Sequence, residues 1–335
     1  MFRFSDMSFD VENKLKNKNN FKVAVLLPIM NEVGTLERCL TSLVNQSLQG
    51  VAIIIQDNFS DDGSDQIIAG FKNSYPNVFT NTRLTRIDSW ENWDQLLQYA
   101  EEFFDFEYLF WMGGDDYLAE IDFFQNLYLK GIENNLDVIT PTINNIDGKT
   151  GVFKGRLEIK LQSKFKLFRM LKYSNNWENV NILHSLIRKT LYQEIIAKAS
   201  GSHTQYIAND WWFGANIVAK NQLVSTKNAH FCKSHWEARR YSWINKTSLE
   251  ETQASTYGRY RKFRFHLFQD FSILRNHIFI PHPLKNSLTS YEFAIILVLF
   301  VIRTVIRPPM IFVKWLNVKC QAYLCKPLTS GSAIN

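Results

Sequence analysis

The chain has 335 residues, 46% of them hydrophobic and 14% aromatic, which is enough for one large α/β domain with an appendage or for two small domains. This composition excludes a fibrous protein and a chain that is disordered throughout. Only residues 1–20 are expected to be disordered, because 13–20 read NKLKNKNN and carry no apolar stripe. The net charge of +6 fits an anionic substrate or an anionic membrane surface. Nucleic acid is not expected as a partner, because the basic residues gather after 150 instead of alternating with aromatic residues on one sheet.

Two features favour a cytoplasmic location. The start of the chain carries Arg3, Asp6 and Asp10 with no apolar segment after them, so no secretory signal peptide is expected. The four cysteines are scattered and are not accompanied by other zinc ligands, which is typical of a protein from a reducing compartment.

Three apolar runs predict buried strands at 23–28, 51–55 and 107–112. Amphipathic segments between them predict helices, one of which begins near Trp93. Strands that alternate with helices in this way indicate βαβ units and a parallel sheet.

A pair of polar residues follows each strand: Asn31–Glu32, Asp57–Asn58 and Asp115–Asp116. Open α/β sheets bind ligands beyond the carboxyl ends of their strands, so we expect these pairs to meet at one site. The adjacent carboxylates of Asp115 and Asp116 suit Mg²⁺ or Mn²⁺ bridging phosphate oxygens, and Gly114 allows close approach of a bulky ligand. Asp57 can accept a hydrogen bond from a nucleobase. The alternative is that each pair belongs to an ordinary surface turn.

The C-terminal region contains an apolar segment, 291–317, that is interrupted by charges. Residues 293–302 are apolar, but Arg303, Arg307 and the Pro308–Pro309 pair follow. A spanning helix needs roughly 20 mostly apolar residues, so we expect peripheral attachment at the membrane surface. A buried core helix is the alternative.

The segments VAVLLPIMNE, QDNFSDDGS and WMGGDDYL, in this order, resemble the large inverting glycosyltransferase family 2. The resemblance covers residues 22–120 and continues more weakly to 245. It implies an α/β fold of the GT-A type, with a Rossmann-like and mostly parallel sheet flanked by helices. The helical, membrane-associating C-terminal region is expected from the apolar segment 291–317 and lies beyond the resemblance. The implied organisation is a GT-A domain at 21–245, with a nucleotide-binding half at 21–120 and an acceptor half at 121–245, followed by a C-terminal region at 246–335.

The resemblance implies transfer of a sugar, with inversion, from a nucleotide-diphosphate sugar donor to a hydroxyl of a glycan or lipid-linked acceptor. Mg²⁺ or Mn²⁺ is the implied cofactor. The implied setting is bacterial surface polysaccharide or glycolipid synthesis, with the protein peripheral on the cytoplasmic face of the inner membrane. One alternative is an inactive GT-A sugar-nucleotide-binding protein, since Gly113 and Asn209 replace acidic residues of the family pattern. The other is a sugar nucleotidyltransferase, although PIMNEVGT lacks the lysine and glycine-rich loop of that class.

The resemblance also assigns roles to residues. Asn58 stands where the family often has a second aspartate, so either Asp57 or Asn58 reads the base. The resemblance places Asn92 opposite the diphosphate, but Asn92 is equally well explained as a first-turn helix residue. It places His235 at the metal, although a lone histidine is more often structural. Asp210, which three aromatic residues follow, is the expected catalytic base, with Glu178 as the fallback. The expected nucleotide-sugar contacts are Pro28, Asn31, Glu32, Asp57, Asn58, Asn92, Gly114 and Asp115, and the expected metal ligands are Asp115, Asp116 and His235.

Overall fold

The computed structural model describes residues 20–87, 89–159, 181–197, 209–220 and 223–235, together with positions 161, 169, 173, 294 and 298. Of the segment 1–20 predicted to be disordered, the structure describes only Asn20, which is the first residue of a strand. Residues 1–19 and the fallback base Glu178 lie outside the described residues. So does the apolar segment 291–317, apart from Ala294 and Val298, which are helical and exposed. No helix within the described ranges is long and apolar enough to cross a membrane.

Helices and strands alternate through the first half of the chain, as the apolar pattern predicts. The predicted strands at 23–28, 51–55 and 107–112 are confirmed with slightly different bounds. In chain order the elements are β1 (Asn20–Ile29), α1 (Val33–Val44), β2 (Val51–Asp57), α2 (Ser64–Ser74), β3 (Val78–Thr82), α3 (Ser89–Phe103), β4 (Asp105–Trp111), β5 (Tyr117–Leu118), α4 (Phe123–Glu133), β6 (Val138–Asp147), β7 (Phe153–Leu157), β8 (Leu186–Arg188), α5 (Lys189–Ala197), α6 (Asn209–Lys220) and β9 (Val224–His235).

The strands form one sheet in the order β3-β2-β1-β4-β8-β6-β9-β5, with β7 paired to β6. The four strands of the first half are parallel. In the second half, β8 runs antiparallel to β4 and β6, β7 antiparallel to β6, and β5 antiparallel to β9. The sheet is therefore mixed, and the expectation of a mostly parallel sheet is wrong for this half. A tight turn joins β6 to β7 with no crossover helix, and that connection requires antiparallel pairing.

The core explains why the first half folds as it does. Residues 23–27 of β1 and 52–55 of β2 are fully buried. A strand is buried on both faces when helices cover both sides of the sheet, and this is why these strands are continuous apolar runs. Helix α1 places Leu36, Cys39 and Leu40 against this sheet.

We expect Gly131→Ala to lower the free energy of unfolding by about 1–3 kcal/mol, because overpacking strains a close-packed interior. A Cβ at Gly131 in α4 would lie 2.9 Å from Cδ1 of Ile139 and 3.0 Å from the hydroxyl of Tyr108. That hydroxyl donates a hydrogen bond to the carbonyl of Leu136 at 2.7 Å, which the new methyl group would disturb. Urea denaturation measures the change.

Gly70→Ala is the matched control, because nothing lies within 4 Å of a Cβ at that position in α2. There the greater helix propensity of alanine should raise the free energy of unfolding by about 0.5–1 kcal/mol. Equal effects of the two substitutions would contradict the close packing of α4 on the sheet.

Candidate functional site

The loops that follow β1 and β2 are joined by short polar side chains. The Asn31 amide donates to Oδ1 of Asp61 at 2.8 Å, and the Asp61 backbone N–H donates back to Oδ1 of Asn31 at 3.0 Å. The Glu32 N–H donates to Oγ of Ser64 at 2.9 Å. Pro28 is half-buried within β1 itself. The two loops thus form one hydrogen-bonded unit at the carboxyl edge of the sheet, the edge at which ligands bind in such folds.

Asp57 and Asn58 have different surroundings. Asp57 is buried, and its Oδ1 accepts hydrogen bonds from the hydroxyl and the backbone N–H of Ser60 at 2.5 and 3.2 Å. Burial raises the pKa of Asp57, and the Ser60 hydrogen bonds oppose that effect. The Asn58 side chain accepts from the N–H of Ile87 at 3.0 Å and donates to its carbonyl at 2.9 Å. The Asn58 amide therefore holds the segment that leads into α3 against the end of β2.

The turn after β4 carries both carboxylates of the predicted metal site. A Cβ placed on Gly113 would lie 2.9 Å from Oδ1 of Asp115 and 3.2 Å from Oδ2 of Asp116, so the two carboxylates lie over the same backbone atom. The backbone N–H of Ser234 donates to Oδ1 of Asp116 at 2.8 Å, and its hydroxyl donates to the carbonyl of Asp115 at 2.5 Å. Burial, and then the charge of Asp115, raise the pKa of Asp116, while Lys233 lowers it.

Gly114 brings this turn against the loop after β1. A Cβ there would lie 2.5 Å from Cδ1 of Ile29 and 3.1 Å from Cγ of Glu32, so a larger residue would displace both neighbours. Glu32, Asp115 and Asp116 all raise the pKa of the buried Cys39 thiol, after the larger effect of burial itself. The structure thus gathers the predicted Asn31–Glu32 and Asp115–Asp116 pairs in one region.

Asn92 and His235 have partners in the protein. Asn92 is buried in α3, where its side-chain oxygen and its carbonyl accept hydrogen bonds from the Gln56 amide at 2.8 and 2.9 Å. Nε2 of His235 lies 2.7 Å from Oδ1 of Asn145. Across the described residues, no three His, Cys, Asp or Glu side chains are grouped to hold a metal ion. The assignments of Asn92 to the diphosphate and of His235 to the metal stay predictions.

Asp210 is the second residue of α6, which begins at Asn209. The side chains of 209–212 lie outside the described residues. Phe213 is the last of the three aromatic residues that follow Asp210. It is buried, and its ring centroid lies 4.7 Å from that of Tyr192. Phe213 therefore belongs to the core, while the role of Asp210 stays a prediction.

Two features of the site have no clear sequence signal. Nζ of Lys233 donates to Oδ1 of Asn181 at 2.7 Å and to Nε2 of the buried His184 at 2.8 Å. Nδ1 of that histidine therefore carries the hydrogen and donates to the carbonyl of Trp111 at 3.1 Å. Burial, followed by the charge of Lys233, lowers the pKa of His184. Only the pairing of β9 with its neighbours brings Lys233 near Asp116, and a single sequence does not predict that pairing.

Phe59 is the second such feature. Its φ is 58°, in the left-handed region that asparagine tolerates better than a bulky residue, and its side chain is 48% exposed. The residue directly follows the Asp57–Asn58 pair. The sequence shows an aromatic residue inside an otherwise polar turn, QDNFSDDGS, but it does not reveal the positive φ or the exposure of that residue.

The family model described as Glycosyl transferase family 2 matches residues 24–196, more than half of the chain, so this chain belongs to that family. It is similar to a poly(ribitol-phosphate) beta-glucosyltransferase of Bacillus spizizenii, at 26% identity over 62% of this chain and 29% of that protein. It is also similar to a cholesterol galactosyltransferase of Borreliella burgdorferi, at 24% identity over 64% of this chain and 60% of that protein. The chain thus spans less than two thirds of the length of either relative.

Among solved structures, the chain is similar to residues 1–349 of TarS from S. aureus in complex with UDP-GlcNAc. The TM-score is 0.56 at 16% identity, over 84% of this chain and 72% of the other. This likeness shows the fold, an α/β GT-A-like arrangement of a mixed sheet flanked by helices. Family membership confirms the resemblance seen in the motifs, and it does not favour the alternatives of an inactive binding protein or a nucleotidyltransferase.

We expect Asp57→Asn to stabilise the protein at neutral pH, because it keeps an oxygen for Ser60 and removes a buried charge. Burial raises the pKa of Asp57 above its ordinary value of 3.8, so the folded state holds the proton more tightly than the unfolded state. The cost of the ionised carboxylate is therefore absent well below pH 3.8 and complete above the raised pKa. The stability gain of the variant should grow as pH rises through that window.

Urea denaturation of both proteins across a series of pH values measures this gain. Asp122→Asn is the control, because Asp122 is exposed and its replacement should shift stability little at any pH. A gain for Asp57→Asn that does not vary with pH would contradict the assignment of a raised pKa.

Proposed function

We propose that this protein is an inverting glycosyltransferase that moves a sugar from a nucleotide-diphosphate sugar to an acceptor hydroxyl. The proposed setting is the synthesis of a bacterial surface polysaccharide or glycolipid. The observation that carries the proposal is the pair of adjacent carboxylates, Asp115 and Asp116, held over Gly113 beside the hydrogen-bonded loops that follow β1 and β2. Membership of the family and the named activities of the relatives support it.

The loops after β1 and β2 form the proposed donor site. Asn58 is already engaged with the backbone of Ile87, which favours Asp57 as the residue that reads the base. Pro28, Asn31 and Glu32 lie along the same edge of the sheet. The hydrogen bonds between the two loops hold this edge in one conformation before a ligand binds. The conformational entropy lost on binding is therefore smaller.

Divalent metal binding is typical of the family, and the turn after β4 fits a metal ion. Asp115 and Asp116 are two hard oxygen donors close together, and each raises the electrostatic cost of the other. A divalent cation would relieve that repulsion. We propose Mg²⁺ or Mn²⁺ held by Asp115 and Asp116, with His235 as a further candidate ligand. When bound, such an ion neutralises the negative charge that develops on the leaving diphosphate.

Asp210 is the proposed catalytic base. Its carboxylate would accept the proton of the acceptor hydroxyl while that oxygen bonds to the anomeric carbon. The bond from the anomeric carbon to the diphosphate oxygen breaks in the same displacement, and attack from the opposite face inverts the configuration. Asp210 lies at the start of α6 in the proposed acceptor half.

The acceptor is proposed to be a glycan or a lipid-linked molecule. Peripheral attachment to the cytoplasmic face of the inner membrane, through the apolar segment 291–317, would bring the site to such an acceptor. The observation behind this proposed attachment is the apolar run that Arg303 and Arg307 interrupt. A protein that stays in the supernatant on fractionation at low salt would count against this part of the proposal.

We expect Asp115→Ala to weaken nucleotide-sugar binding and to abolish turnover, because the leaving diphosphate loses its metal. A thermal-shift screen of UDP, GDP and dTDP sugars, with and without Mn²⁺, first identifies the donor. A ligand at 100 times its Kd adds about 2.7 kcal/mol to the stability of a protein that binds it only when folded. Titration of that donor into the variant then measures the loss.

Asp122→Ala is the matched control, since this exposed aspartate follows the same turn and should leave donor binding and turnover unchanged. Full activity of Asp115→Ala, or activity that EDTA does not alter, would show that the metal assignment is wrong. Absence of any nucleotide-sugar effect on the wild-type protein would overturn the proposed function as a whole.

We expect Asp210→Asn to lower kcat by about 10² or more while donor affinity stays near normal, because size and hydrogen bonding are kept and basicity is lost. Initial rates at saturating donor, combined with a donor titration, separate the two quantities. A variant with near wild-type kcat would transfer the role of base to Glu178 or to another residue.

A further inference from the structure

The turn between β6 and β7 presents apolar side chains to solvent. Six consecutive residues, 149–154, are exposed and read KTGVFK. Val152 is 60% exposed and Phe153 is 54% exposed. Adjacent apolar side chains that are exposed at the tip of a turn and flanked by charged residues are typical of a contact site.

Hydrogen bonds to Asp147 hold this tip in place. Oδ1 of Asp147 accepts from the N–H groups of Lys149 and Thr150 at 3.1 and 2.8 Å and from the Thr150 hydroxyl at 2.9 Å. The backbone of Asp147 also accepts from the N–H of Gly151 and donates to the carbonyl of Val152, both at 2.8 Å. A turn fixed in this way keeps Val152 and Phe153 from folding back onto the sheet.

The tip lies at the same edge of the sheet as the candidate site. β6 runs parallel to β9, and Asp147 pairs with His235 in that register. The Gly148 N–H donates to the carbonyl of His235 at 2.9 Å. The preceding residue, Ser234, is the one that bonds to Asp115 and Asp116. A short stretch of β9 therefore connects the turn of the two carboxylates to the exposed tip.

The charge around the tip is mainly positive. Lys149, Lys154 and Arg156 are exposed there, and Asp147 forms an ion pair with Lys154. Apolar side chains flanked by long cationic ones suit the boundary of an anionic bilayer, where the rings enter the acyl region and the ammonium groups stay with the headgroups. A glycan could pack a sugar face on the Phe153 ring, but its binding would not require a cluster of cations around that ring.

We propose that the tip formed by residues 149–154 docks into the surface of an anionic membrane and turns the carboxylate edge of the sheet toward it. The part of this inference that concerns access to a lipid-linked acceptor rests on the proposed function. The docking itself does not, since it follows from exposure, charge and the geometry of the turn.

The experiment uses the full chain with a fluorescent, environment-sensitive amino acid placed at position 153 by codon suppression. Vesicles contain phosphatidylcholine alone or a mixture with phosphatidylglycerol, and acyl chains brominated at defined depths quench the probe. We expect a blue shift and depth-dependent quenching with the anionic vesicles, weakened by salt. The same probe at position 129 is the control, because Leu129 of α4 is 44% exposed. This part of α4 packs near the start of β6, where Gly131 faces Ile139, whereas the tip follows the end of β6 at Asp147.

A pair of double variants gives the second measurement. Val152→Gln with Phe153→Gln should lower the partition coefficient on anionic vesicles by roughly tenfold, since two apolar side chains no longer enter the bilayer. Leu129→Gln with Ile132→Gln, at two positions each 44% exposed, should leave it unchanged. Neither double variant should change the affinity for the nucleotide sugar.

Two outcomes would overturn the inference. One is a probe at 153 that stays unquenched while the protein binds vesicles, which would assign attachment to another segment. The other is unchanged vesicle binding in the Val152–Phe153 variant with a raised KM for a soluble acceptor, which would assign the tip to the acceptor glycan. Failure to bind any nucleotide sugar would remove the proposed function and leave the vesicle result standing.

Discussion

The geometry of the candidate site depends on the buried carboxylate of Asp116. It accepts a hydrogen bond from the Ser234 N–H of β9, and it thereby links the turn after β4 to the second half of the sheet. Removing a carboxylate from water costs several kcal/mol unless charge and hydrogen bonds offset the loss. The charge of Lys233 and the hydrogen bond from the Ser234 amide lower the pKa of Asp116, but burial and the charge of Asp115 outweigh them and the pKa stays raised. The position of β9 therefore sets where both carboxylates of the turn lie.

The proposed donor side of the site, formed by the loops after β1 and β2, is held together in a different way. Short side chains fix the main chain of the loops there, as Asp62 does by accepting from the N–H groups of Val33 and Ser64, both at 3.0 Å. Such local bonds do not need a core beneath them, which is why a loop rich in aspartate and serine can be well ordered. The two sides of the site thus have separate sources of rigidity. One is a buried carboxylate that is hydrogen-bonded to β9, and the other is a network of polar loops.

The sequence predicted the first half of the fold because its signals are local. Runs such as 23–28 are apolar on both faces, and a polar pair follows each of them within three residues. The second half has no comparable signal, since β5 and β8 comprise two and three residues and their pairing is decided by distant strands. Residue type also does not reveal the partner of a polar side chain. Asn58 has the type expected of a ligand-binding residue, yet its amide bonds to the backbone of Ile87.

Two residues with a positive φ, Asn31 and Phe59, lie at the same edge of the sheet as the candidate site. Among the described residues, the non-glycine positions with positive φ are Asn31, Phe59 and Asn135. Asparagine occupies this region at little cost, but a bulky side chain there is costly by about 1–2 kcal/mol. Phe59 is also half-exposed, so core packing does not offset that cost. The strain and exposure of Phe59 lead to the hypothesis that this residue contacts a ligand. Because Phe59 follows Asp57 and lies next to the loop of Asn31, that ligand would be the proposed nucleotide-sugar donor.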